Sequence, residues 1–180
     1  MKPIIKTPHQ VLTTPTKEVA KIDKKVQQII SELIDTLNGA TDPKGVGLAA
    51  TQIGKSMRIF VIKPTEKNEP SVFINPRFIT LSDELLKGIP DDKFKLEGCL
   101  SIPNVWGLVN RHKSITLQYM DEKSQEHEAV FSDFEAIIIQ HEMDHLDGVL
   151  FPRRVLEQCN KLYTITHDTK GEEILTPIDI

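Results

Sequence analysis

Cysteine is scarce in this chain. Cys99 and Cys159 are the only two among 180 residues, which excludes a disulfide framework and points to a reducing compartment where a thiolate stays free. Positive charge is not in excess either: the net charge is −4, and no basic surface of the kind that binds nucleic acid is offered. No apolar run approaches the roughly 20 residues needed to span a bilayer. The opening Met-Lys-Pro-Ile-Ile-Lys-Thr-Pro has neither the apolar core of a signal peptide nor the arginine content of a transit peptide. Repeats and low-complexity stretches are missing as well. What remains is an ordinary balance of 39% hydrophobic and 27% charged residues, the mark of a compact globular domain. The expectation is a cytoplasmic protein without direct nucleic-acid or membrane partners.

Periodicity supplies the elements. Between Asp23 and Asn38, Val26, Ile29, Ile30, Leu33, Ile34 and Leu37 recur at helical spacing, and Gly39 follows as a stop. Residues 41–47 read as a loop. Arg58–Lys63 and Ser71–Leu81 read as strands joined by a loop over 63–70, and residues 82–93 are polar and irregular. Ser114–Met120 and Glu126–Phe131 alternate as strands do. Helix, several strands and then helix, without regular β-α-β alternation, favours an α+β fold over a doubly wound sheet.

Residues 140–148 read Gln-His-Glu-Met-Asp-His-Leu-Asp-Gly. His141 and His145 stand four apart, so a helix puts both imidazoles on one face, with the Glu142 carboxylate beside them. That arrangement can hold a divalent cation and take a proton from water that the cation activates. Ser132 and Glu135 match a capping box that would start this helix, and Gly148 would end it. Phe134, Ile137, Ile138 and Ile139 make its first half strongly apolar, so the metal-binding helix is expected to be central. Phe134, Ile137 and Ile138, on the turns before His141, are candidates for the wall of an apolar substrate slot, with plain core packing as the other reading.

Two histidines leave a catalytic metal one protein ligand short. Residues 97–101 read Glu-Gly-Cys-Leu-Ser, so Cys99 could bring a thiolate, although a lone cysteine is more often a small buried hydrophobe. Cys159 has no polar motif around it and is read as such a hydrophobe. Residues 45–52 read Gly-Val-Gly-Leu-Ala-Ala-Thr-Gln. They nearly match a dinucleotide-binding turn, but that turn must follow a strand, and here a helix and loop precede it. Two glycines that allow close backbone approach and a Gln52 amide that can donate form the better reading.

Taken together, Gly45–Gln52, Glu97–Ser101 and His141–His145 resemble the three motifs of the peptide deformylases, in the family's order and without a mismatch, over about residues 4–162. The resemblance implies an α+β fold with small antiparallel sheets packed around the metal-binding helix. It also implies hydrolytic removal of the formyl group from the N-terminal formyl-methionine of nascent polypeptides. The metal ligands would be Cys99, His141 and His145. The ion would be ferrous iron natively, with zinc, nickel or cobalt able to replace it; ligand softness alone favours zinc. By the same resemblance Glu142 is the general base and then the acid, while the Gln52 side chain and the Leu100 backbone N–H stabilise the developing oxyanion. Gly45, Val46 and Gly47 would line the cleft and pair with substrate backbone as an added strand. Glu97 and Arg111 are a candidate ion pair behind the cysteine loop, and Trp106 a residue whose reading is packing before cleft edge.

The expected division is a catalytic domain over residues 1–165 and a C-terminal tail over 166–180. Some family members reach the ribosome through a basic C-terminal helix; the residues after Leu162 lack an amphipathic period and carry few bases, so that contact is not expected of this tail. Two rival readings are a metallopeptidase with Glu157, Glu172 or Glu173 as third ligand, and a non-catalytic metal-binding protein. The first leaves two motifs unexplained, and intact Glu142 and Gln52 argue against the second.

Overall fold

The computed structural model describes residues 1–41, 43–67, 69–90, 93–167 and 171–179. The loops read at 41–47, 63–70 and 82–93 and the tail at 166–180 each include residues outside this set, namely 42, 68, 91–92, 168–170 and 180.

Helix α1 (Lys24–Gly39) forms where the apolar stripe demands it. The Asp23 side chain caps it by accepting from the Val26 N–H at 3.0 Å. Its stripe lies on a five-stranded antiparallel sheet built from β1 (Gly47–Ala49), β2 (Ile59–Ile62) and β3 (Ser71–Leu81), then β8 (Ser114–Met120) and β9 (Glu126–Ser132), paired in that order. Strand β2 explains its own unbroken apolar run. Ile59 and Val61 pack toward α1, whereas Phe60 and Ile62 pack toward a second helix, α2 (Asp133–Leu146), on the opposite face. A strand covered on both sides needs apolar residues at every position.

The remaining strands are short. β4 (Leu85–Lys87) pairs with β7 (Asn110–His112). β5 (Glu97–Cys99) lies at one edge of a four-stranded sheet beside β6 (Ile102–Gly107), followed by β10 (Leu162–His167) and β11 (Glu173–Pro177). A third helix, α3 (Phe151–Glu157), packs under this sheet through Phe151 and Val155, together with Val109 and Leu162. The architecture is therefore α+β with small antiparallel sheets. No helix among the described residues is long and apolar enough to cross a membrane.

The long elements fall where the sequence places them, but three local readings need correction. The capping box does not close: Ser132 is the last residue of β9, held opposite Ser114, and its hydroxyl makes no cap bond. The chain instead turns into α2 through Asp133, at φ 53°, whose N–H donates to the Lys113 carbonyl at 2.8 Å. Residues 82–93 are not wholly irregular, because pairing with β7 recruits Leu85–Lys87 into a strand. After α3, β10 and β11 pair as a hairpin. Cys159 is exposed, not buried. It follows the last turn of α3 in the left-handed conformation (φ 57°), a helix-end position that faces solvent. Gly148 does end α2, at φ 70°, and a Cβ there would stand 2.9 Å from the Thr13 backbone.

Candidate metal centre

Ten of the 14 residues of α2 are buried, so the side chains that it carries are held from almost all sides. His141 and His145 sit one turn apart, ring centroids 5.1 Å from each other. Cys99 arrives from β5, where the pairing with β6 shifts register between Gly98 and Cys99, an irregularity of the kind that re-aims a side chain. Its Sγ stands 3.2 Å from His145 Nε2. The ligand atoms of Cys99, His141 and His145 all lie within 4.8 Å of one another. Bond lengths of about 2.3 Å to sulfur and 2.1 Å to nitrogen put tetrahedral ligands roughly 3.6 Å apart, so the set fits one divalent ion after side-chain adjustments of up to about an ångström.

The surroundings prepare that set. The Glu97 carboxylate meets His141 Nδ1 at 3.0 Å. Glu97 is ionised: burial pushes its carboxyl up, but the Arg111 guanidinium and its hydrogen bonds pull it down to about 2. A carboxylate can only accept, so His141 Nδ1 carries the proton and Nε2 keeps its lone pair for a metal. Arg111 binds both Glu97 oxygens, at 2.9 and 3.0 Å, and reaches Asp144 at 2.7 Å. Asp144 in turn accepts from Arg154 at 2.7 Å. Burial raises the Cys99 thiol, yet the two imidazoles reverse this and hold it well below the ordinary thiol value. Burial likewise disfavours charge on His141, while Cys99 and Glu97 push it well above the usual imidazole value. Each group favours the charged form of the other, and a cation bound by them takes the place of the proton that they would otherwise share.

Glu142 lies on the same helix turn, buried, with Oε2 lacking any hydrogen-bond partner. Burial is the main reason that its carboxyl is pushed up to about 7. An unpartnered buried carboxylate oxygen is the exception that calls for a ligand. Gly47 makes room for it: a Cβ there would run into Glu142 Oε1 and stand 2.9 Å from Ile138 Cγ2. Gln52 sits in a 3₁₀ turn (Ala50–Ile53). Its Oε1 accepts from the Ala49 N–H at 2.9 Å, which fixes the amide so that Nε2 faces Ser101 Oγ (3.2 Å) and Cys99 Sγ (3.6 Å).

A cleft of about 430 Å³ opens over these groups. Gly45, Val46, Gly47, Gln52, Cys99, Leu100, Phe134, Ile137, Ile138, His141 and Glu142, all singled out in the sequence, line it; His145 lies behind it, buried. Trp106 both packs and lines: it borders the cleft and covers Gly98, where a Cβ would stand 2.6 Å from its ring. Asp144 and Ser101 stood in the sequence motifs without a role, and Arg154 was not singled out at all. Asp144 could have been found, since a carboxylate three residues from His141 on an apolar helix needs a buried cation as partner, and Arg111 was already in view. Glu157 is paired with Arg153 and Arg154, and Glu173 with Lys93, so neither serves as a third ligand.

A buried Cys-His-His donor set, a carboxylate poised beside it and a cleft wide enough for a peptide end define a metal-dependent hydrolase. The family model for polypeptide deformylase matches residues 1–161. A peptide deformylase of Pseudothermotoga lettingae is 45% identical over 141 residues, covering 78% of this chain and 75% of that protein. The crystal structure of a peptide deformylase from Synechococcus elongatus in complex with actinonin superposes with a TM-score of 0.75 at 37% identity, over 86% of this chain and 80% of that one. A Met-Ala-Ser-bound peptide deformylase from Acinetobacter baumannii gives a TM-score of 0.75 at 28% identity, over 86% and 98%. The chain belongs to the polypeptide deformylase family.

Proposed function

We propose that this chain removes the formyl group from the N-terminal formyl-methionine of nascent polypeptides in the cytoplasm, releasing formate and a free amino terminus. The observation that carries the reading is the Cys99–His141–His145 set beside the unpartnered Glu142 carboxylate at the floor of the cleft. Cys99, His141 and His145 would hold one divalent ion, ferrous iron by family resemblance, with zinc, nickel or cobalt as substitutes. When bound, such an ion supplies Lewis acidity and makes water a nucleophile near neutral pH.

The protein's own groups do the rest. Glu142, with a carboxyl near 7, takes the proton of the attacking water and returns it to the leaving amine, two tasks that suit a group balanced near working pH. Gln52 Nε2 and the Leu100 N–H donate to the oxygen on which charge develops, each such donor being worth about 3–4 kcal/mol. Gly45, Val46 and Gly47 precede and begin the outer strand of the five-stranded sheet, where an extended substrate backbone can add as a further strand. Phe134, Ile137 and Ile138 give the methionine side chain an apolar wall. The Met-Ala-Ser peptide held by the A. baumannii relative is the kind of product this cleft would release. The catalytic unit is residues 1–165, with 166–180 as an appended tail.

Protein loaded with metal under anaerobic conditions is expected to release one formate per formyl-Met-Ala-Ser consumed, with one metal ion per chain in the same sample. Glu142→Gln should keep the metal and lose about 10²–10⁴-fold in turnover. Absence of formate from a metal-loaded sample overturns the reading, and normal turnover by Glu142→Gln overturns the role of that residue.

A further inference from the structure

Three consecutive residues near the N-terminus are tied to both halves of the site. The Ile5 N–H donates to the Gln52 carbonyl at 2.8 Å, and the Thr7 N–H to the Ser101 carbonyl at 3.0 Å. Between them, Lys6 extends its Nζ to the Leu100 carbonyl, at the border of the cleft. The Leu100–Ser101 peptide is therefore engaged at both ends. Its carbonyl meets the Lys6 ammonium, and its N–H, that of Ser101, donates to Cys99 Sγ at 3.4 Å.

A cation on a carbonyl draws electron density through the amide and makes its N–H a stronger donor; hydrogen bonds in series polarise one another by about 10–30% each. Donors to a metal-bound sulfur reduce the density it offers the metal, and partners behind the ligands tune affinity and electronics. An exposed lysine contact is ordinarily worth little. This one differs because its partner is the peptide that caps the sulfur.

We propose that Lys6 is a positioning residue for the Cys99 ligand, its charge holding and polarising the Leu100–Ser101 peptide whose N–H caps the sulfur. The inference rests on the reading of Cys99 as a metal ligand. It makes the N-terminal segment a third support of the site, beside the Gln52 turn and the cysteine loop.

The test uses the full chain loaded with cobalt(II) and reads the thiolate-to-cobalt absorption band and the affinity for cobalt against a competing chelator. Lys6→Met keeps most of the stem and removes the charge; Lys6→Arg keeps the charge. The Met variant should shift the band and change cobalt affinity, by up to about 10-fold, whereas the Arg variant should restore both toward wild type. A Met variant that matches wild type in band and affinity overturns the proposal. So does an equal change in both variants, since charge is then not the agent. Should the wild type itself show no thiolate band, the assignment of Cys99 as ligand fails first, which separates the two claims.

Discussion

Glu97→Gln removes one charge and little volume, and the structure sets its cost. The wild-type carboxylate accepts from Arg111 through both oxygens and from His141 Nδ1 through one. A glutamine has a single acceptor. If its oxygen stays on His141, its NH₂ faces the Arg111 guanidinium, donor against donor. Arg111 is buried; it loses the Nε bond to Oε1 and both charge-assisted contacts with residue 97, keeping one neutral acceptor there and Asp144, which it already shares with Arg154. Breaking one partner of a buried pair costs about 3–5 kcal/mol. An independent route gives the same scale: holding Glu97 at about 2 instead of its ordinary 4.5 corresponds, at about 1.4 kcal/mol per pH unit, to roughly 3 kcal/mol. The sign follows from the depressed value. The contribution is present above about pH 4.5 and is lost as pH falls toward 2. Urea unfolding of chelator-treated wild type and variant at pH 7 should therefore differ by about 3 kcal/mol, and the gap should narrow by pH 3.5. Metal affinity should fall about 10–100-fold, because His141 loses its ionised orienter. Stabilities equal within about 0.5 kcal/mol at pH 7, or a gap that acid leaves unchanged, would refute the reasoning.

Further outcomes are expected at neighbouring positions. Gly47→Ala should push the Glu142 carboxylate aside, because the new Cβ meets Oε1; turnover should drop about 10²-fold while overpacking costs about 1–3 kcal/mol, and normal kcat/KM would contradict the contact. The acid limb of kcat/KM should report Glu142, whose burial places it near 7. Activity needs the ionised form, so it rises with pH, and a bound cation can only move the midpoint lower; a limb centred above pH 8 in a metal-loaded sample would exclude Glu142 as the base.

What could be read in the sequence is what repeats or recurs locally. The α1 stripe and the alternation of β8 carry a period, β2 is a continuous apolar run, and the structure places these elements within a residue or two of the expected bounds. Strands β1, β4, β5 and β7 are three residues long, too short for a period, and exist because a partner strand pairs with them. The Ser132 signal failed for a related reason: strand pairing with Ser114 claimed the residue before the cap could form. The site motifs are contiguous strings, and the cleft gathers at its walls every residue given a role in them except the buried His145. Arg154 stayed hidden because its meaning lies in a through-space network that joins α2, α3 and β7 through Asp144.

Cys99 and His145 are 46 positions apart along the chain, and one belongs to the edge of the four-stranded sheet while the other belongs to α2. An ion bonded to both would act as a cross-link, pinning two separately braced bodies across that span. By the chain-entropy relation for a loop of this size, such a clasp is worth up to about 4 kcal/mol. Demetallation would then not merely silence the site: it would unfasten the sheet edge from the helix and leave the whole domain more open to heat and to proteases.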